Sequence, residues 1–128
     1  MSRVVIDTNV IVSALLVPES RPADVLASVL NHRHTICYDS RIIVEYEDVL
    51  SRKKFPFRKR DIESLLFMLI QDGDVIVAEP TKATFADETD RKFFEVAQAA
   101  GAVLITGNLK HYPKSSTILA PAEFLAQQ

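Results

Sequence analysis

Cysteine is almost missing. Cys37 is the only one in 128 residues, which excludes an internal disulfide and a cysteine-built zinc cage from this chain alone. A reducing compartment, the cytoplasm, is the expected location. Long apolar runs are missing too: none approaches the ~20 residues that a bilayer-spanning helix needs. The polar opening Met1-Ser2-Arg3 is unlike the charged leader and apolar stretch of a secreted protein, so neither secretion nor membrane insertion is expected. Nor is there an excess of positive charge. Fifteen Lys and Arg against 17 Asp and Glu leave a net charge of -2, which rules out a polycation that coats nucleic acid by bulk attraction. Without an internal repeat, a low-complexity tract or a linker, residues 1–128 read as a single domain long enough for a real core.

What is present alternates between strand and helix. Arg3-Val4-Val5-Ile6 reads as a buried strand, followed by Asp7 and by Thr8 and Asn9 as cap candidates for a helix from Val10 to Leu16. The polar loop Pro18 to Pro22 precedes a second helix from Ala23 to Asn31, with apolar residues at Val25, Leu26, Val29 and Leu30. His34 to Tyr38 is a strand candidate, Asp39-Ser40 a cap, and Arg41 to Ser51 a helix with its stripe at Ile42, Ile43, Tyr46, Val49 and Leu50. A further helix over Asp61 to Gln71 stops at Asp72-Gly73, before the predicted strand Val75-Ile76-Val77. Asp90 to Ala100 is again helical and is closed by Gly101. Then come the strand Val103-Leu104-Ile105, the turn Thr106-Gly107-Asn108, and a last strand near Thr117 to Leu119. This order predicts an α/β fold: three layers, α/β/α, around a central parallel sheet of four to five strands, with its crevice at the strands' carboxyl edge.

Acids stand where that crevice should be. Asp7 ends the first strand, a position from which ligand-binding groups emerge; the plainer alternative is a turn residue or helix cap. Asp90 lies seven residues before Ala97, on the apolar side marked by Phe93, Phe94, Ala97 and Gly101, so it faces inward and needs a partner. Its local alternative is a capping box, with Asp87 as the N-cap and Asp90 reaching back to that residue's amide. On the Arg41–Ser51 helix, Asp48 is opposite the stripe, while Glu45 and Glu47 flank it on either side, and periodicity leaves both open. Should Asp7, a glutamate and Asp90 converge, each pair ~4 Å apart would repel by about 4 kcal/mol at an effective dielectric near 20. No lysine or arginine accompanies Asp7 in the strand-end turn. A divalent ion is then the economical partner, and an all-oxygen site suits Mg²⁺ or Mn²⁺, an ion able to deliver hydroxide to a phosphodiester and steady the charge on phosphorus.

Charge of the other sign is concentrated in one stretch. Arg52-Lys53-Lys54-Phe55-Pro56-Phe57-Arg58-Lys59-Arg60 carries six cations and two aromatics. Such a run is either a solvated loop and helix start or a guide for a nucleic-acid backbone.

Four segments taken together resemble the PIN-domain family. Val4-Val5-Ile6-Asp7-Thr8-Asn9-Val10 is similar to its opening strand and acidic corner, and Glu45-Tyr46-Glu47-Asp48-Val49-Leu50-Ser51-Arg52 to its glutamate helix. Asp87-Glu88-Thr89-Asp90, followed by Ala97 and Gly101, is similar to its third acidic block, and Leu104-Ile105-Thr106-Gly107-Asn108 to its closing strand and turn. The resemblance runs nearly end to end. It implies a metal-dependent ribonuclease of the kind found in bacterial toxin-antitoxin pairs, of which the VapC-type toxins are the familiar group. It also chooses between the glutamates: the family's stands four residues before the Val-Leu pair, which is Glu45, and the third acid falls on Asp90, leaving Asp87 as a cap or auxiliary acid. Many members carry a fourth aspartate where Asn108 stands or a little beyond, near His111, and here neither position is acidic. That difference bears on a second metal site.

The resulting expectation is an endoribonuclease in which Asp7, Glu45 and Asp90 hold Mg²⁺ or Mn²⁺. Asn9, Thr106 and Asn108 assist, Thr106 by orienting a ligand or water, and His111 is a candidate to approach a phosphate or leaving group. Arg52, Lys53, Lys54, Arg58, Lys59 and Arg60 guide RNA, with the two phenylalanines available for stacking or for the core. A small antitoxin and a homodimer are the partners that the resemblance implies. The alternative is a catalytically weak PIN scaffold that binds RNA or a protein. A phosphorelay receiver, of similar length and layering, is disfavoured: Thr8 stands where it needs a second acid, and Val77-Ala78-Glu79 where its phosphorylated aspartate would end the third strand.

Overall fold

The computed structural model describes residues 2–128. Among them are five strands and six α-helices: β1 (Arg3–Ile6), α1 (Thr8–Leu16), α2 (Arg21–Leu30), β2 (Thr35–Tyr38), α3 (Ser40–Leu50), α4 (Lys59–Asp72), β3 (Asp74–Val75), α5 (Arg91–Ala100), β4 (Val103–Ile105), β5 (Ile118–Leu119) and α6 (Pro121–Ala126). The sheet is parallel throughout, in the order β3-β2-β1-β4-β5, and the layering is α/β/α.

The order follows from burial. Val4, Val5 and Ile6 are apolar on both faces of the strand, which only a central position covered by helices accommodates. β1 pairs with β2 at Val4↔Ile36 and with β4 at Val5↔Leu104 and Ile6↔Ile105, so the first strand is the middle one. From β1 the chain moves outward through β2 to β3, then crosses back to β4 and β5 on the other side. The reversal leaves a switch point at the carboxyl ends of β1 and β4.

Cap chemistry sets several boundaries. Ser20 accepts the Ala23 N–H at 3.2 Å and Asp39 the Ile42 N–H at 3.2 Å. Gly101 ends α5 with φ 62°, the left-handed geometry that a residue without Cβ adopts easily.

Three local expectations need correction. Thr8 and Asn9 do not cap α1: Asp7 holds the N-cap position, the helix begins at Thr8, and both polar side chains are used elsewhere. Of the predicted strand Val75-Ile76-Val77 only Val75 belongs to β3. Ile76 still donates its N–H to Tyr38 O at 2.8 Å, but after β2 the chain turns into α3 at Ser40, so Val77 has no strand to pair with and lies exposed. α6 is an addition, entered through Pro121 with Glu123 accepting the Ala120 N–H at 3.0 Å. Among the described residues no helix is long and apolar enough to cross a membrane.

Candidate active site

Asp7 and Thr106 stand on adjacent strands at the switch point. The Asp7 N–H donates to Ile105 O at 2.9 Å, which carries the β1–β4 ladder right up to the acid, and Thr106 N–H donates to Leu119 O at 3.0 Å on the other side. Asp7 therefore enters the helix corner from a rigid strand end. Its side chain does not cap α1. It turns to the crevice, where Oδ2 accepts from Thr106 Oγ1 and from the Tyr112 hydroxyl, each at 2.9 Å. The turn below is tied twice more: Asn108 N–H donates to Thr106 Oγ1 at 3.0 Å, and Gly107 N–H donates to Asn9 Oδ1 at 3.2 Å. Asn9 and Thr106 thus hold the closing turn against the acidic corner, while Asn108 contributes its backbone and leaves its side chain exposed.

Glu45 arrives from α3. Its neighbour Tyr46 is fully buried, stacks on Phe93 and hydrogen-bonds Ile6 O, which locks the helix against the end of β1. That lock sets Glu45 half-buried toward the crevice and leaves Glu47 exposed; Asp48, also exposed, pairs with Arg52 at 3.1 Å. Glu45 Oε2 accepts from the Thr8 hydroxyl, and Oε1 lies 2.6 Å from Lys92 Nζ.

Asp90 closes the 3-10 turn Glu88–Asp90 that leads into α5. Asp87 is the cap of that turn, accepting from Thr89 N at 2.9 Å and Thr89 Oγ1 at 2.7 Å. Asp90 does not reach back to it; the carboxylate is buried and its Oδ2 stands 3.1 Å from His111 Nδ1. The capping-box alternative therefore fails, and Asp87 remains a local, exposed cap.

Asp7 and Asp90 are both shifted. Burial raises the Asp7 pKa, the Tyr112 and Thr106 hydrogen bonds work against it, and the charge of Glu45 adds to it. Asp90 is also raised, first by burial, then by the charges of Asp7 and Asp87, with His111 opposing. The Tyr112 hydroxyl is pushed far up by burial and by the Asp7 charge it donates to, so it stays a donor.

A PIN-domain family model matches residues 3–110. The chain belongs to the PIN-domain family. Among solved structures, a chain of VapBC2 from Rickettsia felis, crystallised bound to a DNA fragment from their promoter, is similar at a TM-score of 0.62. The match covers 92% of this PIN domain and 96% of that chain at 20% identity, a likeness of fold. No curated protein matches the sequence.

In this PIN domain the chemistry of the donors fits a hard divalent ion: hard carboxylate oxygens from three elements, two of them with raised pKa values that a cation would relieve. The arrangement differs from the expected one in a definite respect. Among the described residues no three His, Cys, Asp or Glu side chains are gathered closely enough to hold an ion as they stand. Each acid has a protein partner instead: Tyr112 and Thr106 on Asp7, Lys92 and Thr8 on Glu45, His111 on Asp90. The counter-charge that is missing from the strand-end turn comes from α5, as Lys92.

The basic stretch lies on a different part of the molecule. Arg52, Lys53, Lys54, Arg58, Lys59 and Arg60 are all exposed, with Lys59 and Arg60 already in α4. Arg52, Lys53 and Lys59 border an open groove of about 1030 Å³ between α3 and α4. Phe55 and Phe57 stack on each other at 5.4 Å; Phe57 packs against the core, while Phe55 lies under Lys54 Nζ at 5.1 Å. Lys92, Tyr112 and Thr8 are the site residues that the sequence reading missed. Lys92 had a signal, two residues after Asp90 at the start of the same helix.

Proposed function

We propose that this PIN domain is a metal-dependent endoribonuclease, with Asp7, Glu45 and Asp90 as the ligands of Mg²⁺ or Mn²⁺. The observation that carries the reading is the meeting of β1, α3 and α5 at the sheet's switch point, each bringing one carboxylate, in a chain of this family. An ion bound there supplies positive charge against the negative charge that builds on phosphorus during hydrolysis. The chain's own groups do the rest. Tyr112 and Thr106 fix the rotamer of Asp7, and the Asn9–Gly107 bond holds the closing turn in place. To help hold an ion, Glu45 would have to release Lys92. Exposed cations from Arg52 to Arg60 attract the RNA backbone and leave the base sequence unread. The oxygen of a water adds to phosphorus as that water gives up one proton, the P–O ester bond breaks, and the leaving oxygen takes up one proton, so the step balances.

The fold shared with a chain of VapBC2 supports the reading of this domain as the toxin of a toxin-antitoxin pair with a small antitoxin as its partner; a cytoplasmic location, a homodimer and a single functional unit over residues 1–128 belong to the same proposal. Purified protein should cut single-stranded RNA with Mn²⁺, stop with EDTA, and lose ~10³-fold or more in rate on Asp7→Asn. Equal cleavage by that variant would refute the assignment. The second reading, a catalytically weak scaffold for RNA or a protein, is favoured by one observation: Glu45 is already neutralised by Lys92. RNA binding without metal-dependent cleavage, surviving Asp7→Asn, would select it.

A further inference from the structure

Lys92 is the charged group at the acidic edge that takes no part in the proposed hydrolysis itself but holds one of its carboxylates. Its Nζ lies 2.6 Å from Glu45 Oε1 and also donates to the Thr89 carbonyl, and it stands 5.1 Å from the centre of the Phe93 ring. The side chain is only 13% exposed, against 20% for Glu45. Lysine ordinarily keeps its ammonium in water, so this degree of enclosure requires a partner. No other acid is as well placed to serve. Glu88 is held by Arg91 through two bonds of 2.6 and 3.0 Å, and Asp87 caps its own turn through Thr89. Asp90 is turned to His111. With Thr8 on its second oxygen, Glu45 has both oxygens engaged by the chain itself.

A divalent ion and the Lys92 ammonium therefore compete for one carboxylate. We propose that Lys92 is an internal competitor for the metal: it occupies Glu45 while the ion is absent, holds the acidic edge together in that state, and has to be displaced when the ion binds. The inference rests on the reading of Asp7, Glu45 and Asp90 as metal ligands. It makes Lys92 a positioning residue that sets metal affinity through Glu45. A plain structural salt bridge predicts a different outcome, because its removal would loosen the site and weaken binding. Removal of a competitor does the opposite to affinity while still lowering the stability of the metal-free protein.

Titration calorimetry with MnCl₂ on the purified protein separates the two, alongside melting curves with and without Mn²⁺. Lys92→Met keeps the length of the side chain and deletes the charge. It should bind Mn²⁺ about tenfold more tightly than wild type, the equivalent of ~1.4 kcal/mol. Its metal-free form should melt lower, and the rise on adding Mn²⁺ should be larger. Lys92→Arg should bind as wild type does, and in a Glu45→Gln background the gain from Lys92→Met should vanish. Should Lys92→Met fail to fold, Lys92→Gln is read in the same way. Binding by wild type that Asp7→Asn abolishes, with Lys92→Met equal or weaker, overturns the competitor and leaves the metal site standing. Mn²⁺ binding by Lys92→Met alone supports the competitor. No binding by any variant overturns both.

Discussion

Glu95 is 4% exposed, and its two oxygens have separate duties: Oε1 accepts from Arg41 Nη1 at 2.8 Å on α3, and Oε2 accepts the Thr81 N–H at 2.7 Å. The Thr81 carbonyl in turn accepts from Arg91 Nη1 at 2.8 Å. One residue of the irregular segment after β3, Thr81, is therefore clamped through both its N–H and its carbonyl by α5, ahead of the turn that carries Asp90. Glu95→Ala removes two charge-assisted hydrogen bonds, each of order 1.5–3 kcal/mol. Arg41 is half exposed and keeps Asp39 at 2.7 Å, so its share falls at the low end. The expected loss is about 2–4 kcal/mol, or roughly 6–15 °C in melting temperature for a chain of this size. The pH dependence has a fixed sign. Burial works to raise the Glu95 pKa, but Arg41 and the Thr81 N–H outweigh it and hold the carboxyl below its ordinary 4.5. A depressed folded-state value means stability present above the unfolded pKa and lost as pH falls through the folded one. Urea unfolding of wild type and Glu95→Ala from about pH 7 down to about pH 3 should show a gap that narrows below the unfolded value. A gap that stays constant with pH, or is under ~0.5 kcal/mol at neutrality, would refute the clamp.

Two glycines should respond in opposite degree to alanine. At Gly73 a Cβ would lie 2.6 Å from the backbone oxygens of both Ile36 and Leu69, which cannot step aside, so Gly73→Ala should lose about 3 kcal/mol or more in urea unfolding. At Gly101 a Cβ meets nothing within 4 Å, and only the φ of 62° resists, so Gly101→Ala should lose about 1 kcal/mol. Lys53, Lys54 and Arg58 are exposed, with no acid within ion-pair distance among the described residues. Replacing all three by alanine should leave the melting temperature in place and flatten the slope of log affinity for single-stranded RNA against log salt by about 2. An unchanged slope would mean that RNA follows another surface.

The layering was legible because its signal is redundant. Val4-Val5-Ile6 tolerates only burial on both faces, and Gly101 stops α5 by a conformational rule that needs no tertiary knowledge. β3 failed for a different reason. Val75-Ile76-Val77 has the composition of a strand, but a strand is a relation between two backbones, and β2 has turned away before Val77 needs it. α6 was passed over because six residues are too few for a helical period to declare itself, although Pro121 and Glu123 are the start signals it uses.

At the acidic edge the same distinction holds, with more at stake. Asp7 and Asp90 could be picked out because each sits at the end of an element whose buried side is written in its own neighbours. A helical wheel could not separate Glu45 from Glu47, since they flank the stripe and the wheel carries no knowledge of what stands on either side. Here one side holds Thr8 and Lys92 and the other, at Glu47, is exposed. Compensation of charge is likewise invisible along the chain: a search for a cation beside Asp7 finds none, while the fold brings Lys92 in from α5 and the Tyr112 hydroxyl from beyond β4. An ion entering this edge thus meets carboxylates that are already solvated by the protein. Under the proposed ligand set its net affinity would be the Coulomb gain of three acids less whatever the present donors supply, and of those donors Lys92 carries a full charge, which makes it the largest single quantity to be exchanged.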